Sequence, residues 1–426
     1  MIASHALSVA RLCLFIGLVI SSAHLTGCSV LRRDAVPENL VNIAQPAGFD
    51  GIRFWGDGGT EELKKWMAES LDRQRAILVA DGIEQLPSVS YLALSGGGEN
   101  GAYGAGLLCG WTVRGDRPEF RVVTGVSAGA LIAPFAFAGP EYDHVLRDVF
   151  SCLRSDQIIK SRNLFDGLLS DGLFDTGPLR KLIEKYVDQA FLDRIGQEHR
   201  KGRGLWIATT NLDAQRPIVW FMGRIAESKH PDALKLFQDI MIASASIPGA
   251  FPPVMISVEA QAKTYDEMHV DGGATSQVFL YPASFNLSEF AKKFGATRER
   301  HTYIIRNARI DPEYLPVRRR TLAIAQRSVS SLISSQGVGD LYRMYLQCLR
   351  DDIEFNLASI PDDIDVNHAE MFDATYMTKL FEHAYQKALA GYPWQKSPPG
   401  FQFTAPTEPP APVEPASGVP SGSEGR

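Results

Sequence analysis

The stretch "GVSAG" (125–129) sets Ser127 between Gly125 and Gly129. The run "FRVVTGV" before it reads as a buried strand, and "AGALIAPFAFAG" after it as a helix. A serine on so tight a strand-to-helix turn is lifted above the sheet edge and meets the positive end of the helix dipole. Glycine is needed two residues before and after it because larger side chains would collide there. A serine hydroxyl is a poor nucleophile until a neighbour takes its proton. Asp271, in "HVDGGATSQ" (269–277), follows a short apolar stretch and precedes Gly272 and Gly273. A carboxylate on such a turn can reach across a site. With an ordinary pKa near 4 it would be ionised at neutral pH and available as a base. An Asp-Gly turn is common in proteins, so Asp271 gains weight only in company.

A third stretch, "SGGGENGAYG" (95–104), holds a G-x-G-x-x-G pattern at 96–101 between a strand-like and a helix-like run. Such a turn aims backbone N–H groups at negative charge. A dinucleotide-binding turn would be followed by an acidic residue closing the second strand. Here the second strand leads into Ser127, and Glu119 lies at its wrong end. The loop fits an oxyanion hole better, with Gly96, Gly97 and Gly98 supplying N–H groups to the charge formed when a serine attacks a carbonyl.

Other chemistries fit less well. A Ser–acid–His triad would need a histidine after Asp271, and His301 is the candidate. His269, two residues before Asp271, reads as a local packing or hydrogen-bonding residue. "DIDVNHAE", from Asp363, superficially suggests a calcium loop, but His368 stands where glycine is needed and Ala374 where a bidentate Glu is needed. No Cys/His cluster has zinc spacing. Neither a metal nor a cofactor is expected.

The order of the Gly-rich loop, G-x-S-x-G and "DGG", together with "ASASIPGAFPPV" (243–254), resembles the patatin-like phospholipase family over roughly 88–307. The resemblance implies a three-layer α/β/α fold with a mainly parallel central sheet. It implies a Ser–Asp dyad, with Ser127 as nucleophile and Asp271 as general base, and phospholipid or lysophospholipid esters as substrates. The family often carries Arg or Lys in the Gly-rich loop, where this chain has Glu99 and Asn100. An acidic side chain facing a developing oxyanion would oppose catalysis, so the direction of Glu99 matters. Transfer to an acceptor other than water, and a non-catalytic lipid-binding role, are the alternative readings.

The elements that must position these residues are legible in outline. From Ser88 strand-like and helix-like segments alternate, which argues for a parallel sheet covered on both faces. "SVSYLALS", "GLWIATTNL", "PIVWFM", "TYIIRNA" and "DIEFNLASI" read as further strands. "GAYGAGLLCGWTV" reads as a helix whose small residues allow close packing, and Gly101 opens it. Other helices are expected from Thr60, over "EYDHVLRDVFSCL", from Asp175 or Thr176, and over roughly 318–349 and 369–390. The segment 158–174, with Phe165 and Leu168, is a candidate lining of the acyl-chain entrance.

The flanks are different in kind. Residues 1–27 read as a secretory signal ending in "LTGC" (25–28), which resembles a bacterial lipobox and implies lipidation of Cys28. An outer-membrane, lipid-anchored location follows as the expectation. Residues 28–60 read as a tether and 61–395 as the catalytic domain, with its core at 88–307 and a helical part at 308–395. The Pro/Ser/Gly-rich stretch 396–426 reads as a disordered tail. The chain has 426 residues, 45% hydrophobic and 22% charged, with net charge −6, which disfavours nucleic acid as a partner. "RRR" (318–320) is too short to change that and reads as a solvated helix end. Cys109 and Cys152 read as core residues. Nothing in the sequence fixes the oligomeric state.

Overall fold

The computed structural model describes residues 33–152, 155–161, 171–364 and 371–401. The leader with Cys28, the entrance candidates Phe165 and Leu168, His368, and the tail from 402 lie outside the described residues.

The strands are β1 (Arg53–Trp55), β2 (Val89–Leu94), β3 (Phe120–Gly125), β4 (Lys160–Ser161), β5 (Phe174–Asp175), β6 (Gly204–Asn211), β7 (Arg216–Phe221), β8 (Val254–Ala260), β9 (Lys263–Asp271), β10 (Arg300–Arg306) and β11 (Glu354–Ser359). The central sheet runs β1-β7-β6-β3-β2-β10-β11, with β6, β3, β2, β10 and β11 parallel. The strands β7 and β1 close one edge antiparallel. The pair β4–β5 forms a separate ribbon.

Side-chain alternation with period two sends successive strand residues to opposite faces. Leu92, Leu94, Val123, Leu205, Ile207 and Ile305 enter one hydrophobic core, while Tyr91, Ala93, Val122, Trp206, Ala208 and Ile304 enter another. The first core is covered by helices α2 (Gly101–Arg114), α3 (Ala128–Ala138), α4 (Gln189–Arg200), α5 (Ala233–Ser244) and α7 (Ala374–Gly391). Numbered with them in chain order, α1 (Thr60–Ala80) and α6 (Thr321–Asp351) cover the second. This is the mainly parallel α/β/α arrangement expected. No helix of the described residues is long and apolar enough to cross a membrane.

Gly106 and Gly110 of α2 face the backbone of α7 at Phe381 and Tyr385, where a Cβ would collide. The small residues of "GAYGAGLLCGW" thus let two helix backbones approach.

Several expectations need correction. Residues 33–59 are no tether: β1 pairs with β7, and Leu40, Ala44, Phe49, Ile52 and Phe54 are buried. Their apolar residues follow neither helical nor strand periodicity, so composition hid them. The part after 308 is not only helical, since β11 lies in it and Gln395 adds a further bridge to Leu357. Thr60 begins α1, whose cap is Gly59. The expected helix at 141–153 breaks into a turn of α-helix at Asp143–Arg147 and a π-helical turn at Asp148–Cys152. Cys109 and Cys348 are buried, but Cys152 is exposed. The β8–β9 hairpin does not show a plain apolar alternation, because the buried face of β9 carries Glu267 and His269 beside Tyr265.

Candidate active site

The site forms where β3 leaves the sheet. β3 lies beside β6 from Val122↔Gly204 to Gly125↔Ile207. Beyond that point β9, running the other way, takes its place, pairing Asn211↔His269 and Thr209↔Asp271. The end of β9 therefore meets the end of β3, and Asp271 is delivered beside the turn at Ser127. No register argument from sequence could place them together, because the two strands do not pair with each other.

Ser127 holds φ 54° and ψ −124° as the N-cap of α3. A positive φ is strained for a serine. The surroundings enforce it: a Cβ at Gly125 would strike the Gly129 carbonyl, and one at Gly129 would strike that of Leu94. The Ser127 N–H donates to Ser244 Oγ at 3.0 Å, and Ser244 donates in turn to the Ala208 carbonyl at 2.7 Å. The Asp271 N–H donates to the Ser246 carbonyl at 2.9 Å. Ser244 and Ser246, both in "ASASIPG", thus tie the two halves of the site to β6 and to each other. Sequence reasoning noticed the stretch and not these roles.

Asp271 is buried. Its Oδ1 accepts the Gly273 N–H at 2.7 Å, while its Oδ2 has no hydrogen-bond partner among the described residues. Burial pushes the carboxyl pKa up to about 7; the nearby Ser127 hydroxyl and the Gly273 N–H pull against that rise. The expectation of an ordinary carboxylate near 4 is thus overturned. A base titrating near neutrality, close to a serine, is better matched to proton transfer than one at 4.

The Gly-rich loop is held by a scaffold that the sequence did not disclose. The Gly96 N–H donates to the Gln277 carbonyl at 3.0 Å, so Gly96 is not free to bind an oxyanion. The loop's backbone hydrogen bonds leave the N–H groups of Gly97 and Gly98 without such an acceptor among the described residues. The Gln277 side chain donates to the Gly273 carbonyl at 2.9 Å, and its N–H reaches Asp340 Oδ2 at 2.6 Å. Asn307 donates to Ser95 through its backbone and side-chain nitrogens, each at 2.8 Å, and accepts the Gly104 N–H at 3.0 Å. A Cβ at Gly97 would collide with the Asn307 carbonyl. The Glu99 carboxylate accepts the Phe372 N–H, and Asn100 Oδ1 accepts the Tyr376 hydroxyl at 2.6 Å. Both side chains are drawn to the start of α7.

The histidines divide as follows. His269 is fully buried, with Nδ1 at 2.9 Å from Thr209 Oγ1 and Nε2 at 3.0 Å from Glu267 Oε2. Burial lowers its pKa, so it stays neutral, with its Nε2–H toward the carboxylate. It is the local hydrogen-bonding residue expected. His301 pairs in register with Ser90 at the start of β2, while Ser127 lies past the end of that strand, on the order of 15 Å away at about 3.3 Å per residue. His301 contacts Glu354 instead.

A family match covers residues 92–284, to the family described as patatin-like phospholipase. No curated protein matches the chain. Among solved structures, VipD from Legionella pneumophila aligns at 12% identity and TM-score 0.34, over 71% of this chain and 66% of that one, slightly under two thirds of its length. The sheet continues past both ends of the matched stretch, through β1, β10 and β11. With its elbow serine, Gly-rich loop and "DGG" turn inside that match, the chain carries, over residues 92–284, a domain of the patatin-like phospholipase family of lipid acyl hydrolases.

Proposed function

We propose that the chain cleaves carboxylic esters of phospholipids or lysophospholipids through Ser127 and Asp271. The observation that carries the reading is the unpartnered Oδ2 of buried Asp271 beside the Ser127 hydroxyl. As Ser127 Oγ attacks the ester carbonyl, its proton passes to Asp271. The N–H groups of Gly97 and Gly98, with the N-terminus of α3, stabilise the oxyanion. Collapse of the tetrahedral intermediate expels the alcohol, which takes the proton from Asp271, and leaves an acyl-serine. Asp271 then draws a proton from water, whose oxygen attacks the acyl group, and the second tetrahedral intermediate collapses as Asp271 returns that proton to Ser127 Oγ, freeing the fatty acid and restoring both groups.

The engagement of Glu99 by the Phe372 N–H supports a catalytic over a purely binding role, because it removes the one acidic group that threatened the oxyanion. The "LTGC" motif (25–28) supports a lipid anchor at Cys28 and an envelope location. The test is labelling with a fluorophosphonate, followed by an assay on mixed phospholipids. Adduct on Ser127 and release of fatty acid are expected. A protein that neither labels nor hydrolyses would return the reading to lipid binding.

A further inference from the structure

Strands β10 and β11 are parallel neighbours, so α6 must carry the chain back from the C-terminal edge of the sheet to its N-terminal edge. The six paired residues of β10 span on the order of 20 Å. At 31 residues α6 is about 46 Å long, so more than half of it is surplus to the crossing. Asp340 marks where the helix reaches the sheet, since it braces Gln277 beside the Gly-rich loop. Beyond it Leu341, Met344 and Cys348 are buried. The turns before it overhang the edge that carries Ser127 and Asp271.

That overhang exposes three large apolar side chains. Ile324, Val329 and Leu332 are 51%, 49% and 70% exposed and fall within less than half of the helix circumference. Ser328, Ser330, Ser331 and Ser334 are exposed around them, and the helix is held to the body by Arg306, which donates to the Ser334 carbonyl, while Arg327 donates to the Glu313 carbonyl. The loop leading in adds Tyr314, 92% exposed, with Leu315 and Val317, and then exposed Arg318, Arg319 and Arg320. These arginines stand on a chain of net charge −6.

We propose that residues 314–332 are a docking surface for the interface of an anionic phospholipid bilayer. Apolar side chains would enter the boundary between headgroups and acyl chains, Tyr314 would sit at headgroup level, and Arg318–Arg320 would meet lipid phosphates. Charge complementarity favours an anionic bilayer over a two-fold pairing of this face with itself, which would set Arg318–Arg320 near the same arginines of a second copy. A second feature points the same way. Arg33, the first described residue, pairs with Asp213, just past the end of β6 and at the same sheet edge. An anchor and this surface would together present the mouth of the site to the bilayer.

The purpose of this surface rests on the acyl-hydrolase reading, but its test does not. In full-length protein, Leu332→Trp reports locally, as the difference in emission from the unsubstituted chain. With phosphatidylglycerol vesicles that difference is expected to shift blue and to be quenched by brominated acyl chains. Arg318→Gln, Arg319→Gln and Arg320→Gln together should weaken the response at least tenfold, as should neutral phosphatidylcholine vesicles. Ile324→Ser with Val329→Ser should cut hydrolysis of vesicle phospholipid at least tenfold and leave that of a short water-soluble ester within twofold. An indifferent emission overturns the proposal, whatever the activity. So does emission already blue without lipid, which would place another part of the chain or a second copy on this face. Absence of soluble-ester hydrolysis by the unsubstituted chain would sink the enzymatic reading while leaving the vesicle result to stand alone.

Discussion

Glu267 and Asp271 are buried carboxylates on one strand and, four residues apart, on one face of it. Burial pushes both pKa values up, yet they end far apart. The Arg53 guanidinium and His269 overcome burial at Glu267 and hold it at about 2. At Asp271 only one oxygen is partnered, burial prevails, and the pKa stands at about 7. The first carboxylate ends a satisfied chain running from Trp220 Nε1 through Thr209 and His269, braced by Arg53. The second is left open toward a serine. Burial alone does not mark a functional acid; burial with a missing partner beside a nucleophile does.

The contrast is broken most directly by removing each group. Asp271→Asn should lower kcat on a soluble ester by on the order of 10³-fold or more, as should Ser127→Ala. The asparagine variant should nonetheless be as stable as the parent at pH 8 or more so, because it removes a desolvated carboxylate. Retention of most activity would remove Asp271 from the chemistry. Glu267→Gln should do the reverse. It strips Arg53 of its buried counter-charge and should cost about 3–5 kcal/mol in urea denaturation, with activity per folded molecule preserved. A mild effect would mean that water or Ala44, whose carbonyl also accepts from Arg53, can replace the carboxylate.

The pH dependence sharpens the same contrast. Folded Asp271 holds its proton up to about 7 against 3.8 for an ordinary Asp, so stability falls as pH rises across that window. Glu267 contributes stability that is intact above its ordinary 4.5 and is lost as pH falls toward 2. Denaturation midpoints followed from pH 3 to 8.5 should therefore lose their descending limb in Asp271→Asn and their acid limb in Glu267→Gln. In the parent, kcat/KM should climb as pH rises through about 7, because activity needs the carboxylate. A flat profile would point to another base. The smallest effect belongs to His301→Ala. It breaks only a partly exposed contact with Glu354 and should change kcat/KM less than twofold, with stability altered by under about 1 kcal/mol. A large loss would revive the triad.

Ser127 was legible because its chemistry and geometry are written in five consecutive residues: the glycines are required by the same turn that exposes the hydroxyl. The parallel sheet was legible because both-face burial leaves continuous apolar runs in β2, β3 and β6. The β8–β9 hairpin was not, since the buried face of β9 carries Glu267 and His269 and no turn signal stands out in "EAQAKT" (259–264). Gly96 illustrates a subtler limit. Its place in the motif is real, but its N–H is committed to Gln277, a residue 181 positions away.

The sequence by itself determined which residues are able to react and the local turns that carry them, because those depend on neighbours within a few positions. It determined the alternation of elements, hence a sheet covered on two faces. Only the tertiary structure decided that β9 takes over the place of β3 beside β6, which brings Asp271 to Ser127. It alone set a carboxyl at about 7 instead of near 4, and turned Glu99 away from the oxyanion loop. These outcomes depend on which distant groups share a desolvated space. The free energy of a buried charge is fixed by the partners that the fold supplies, and a linear sequence does not state them.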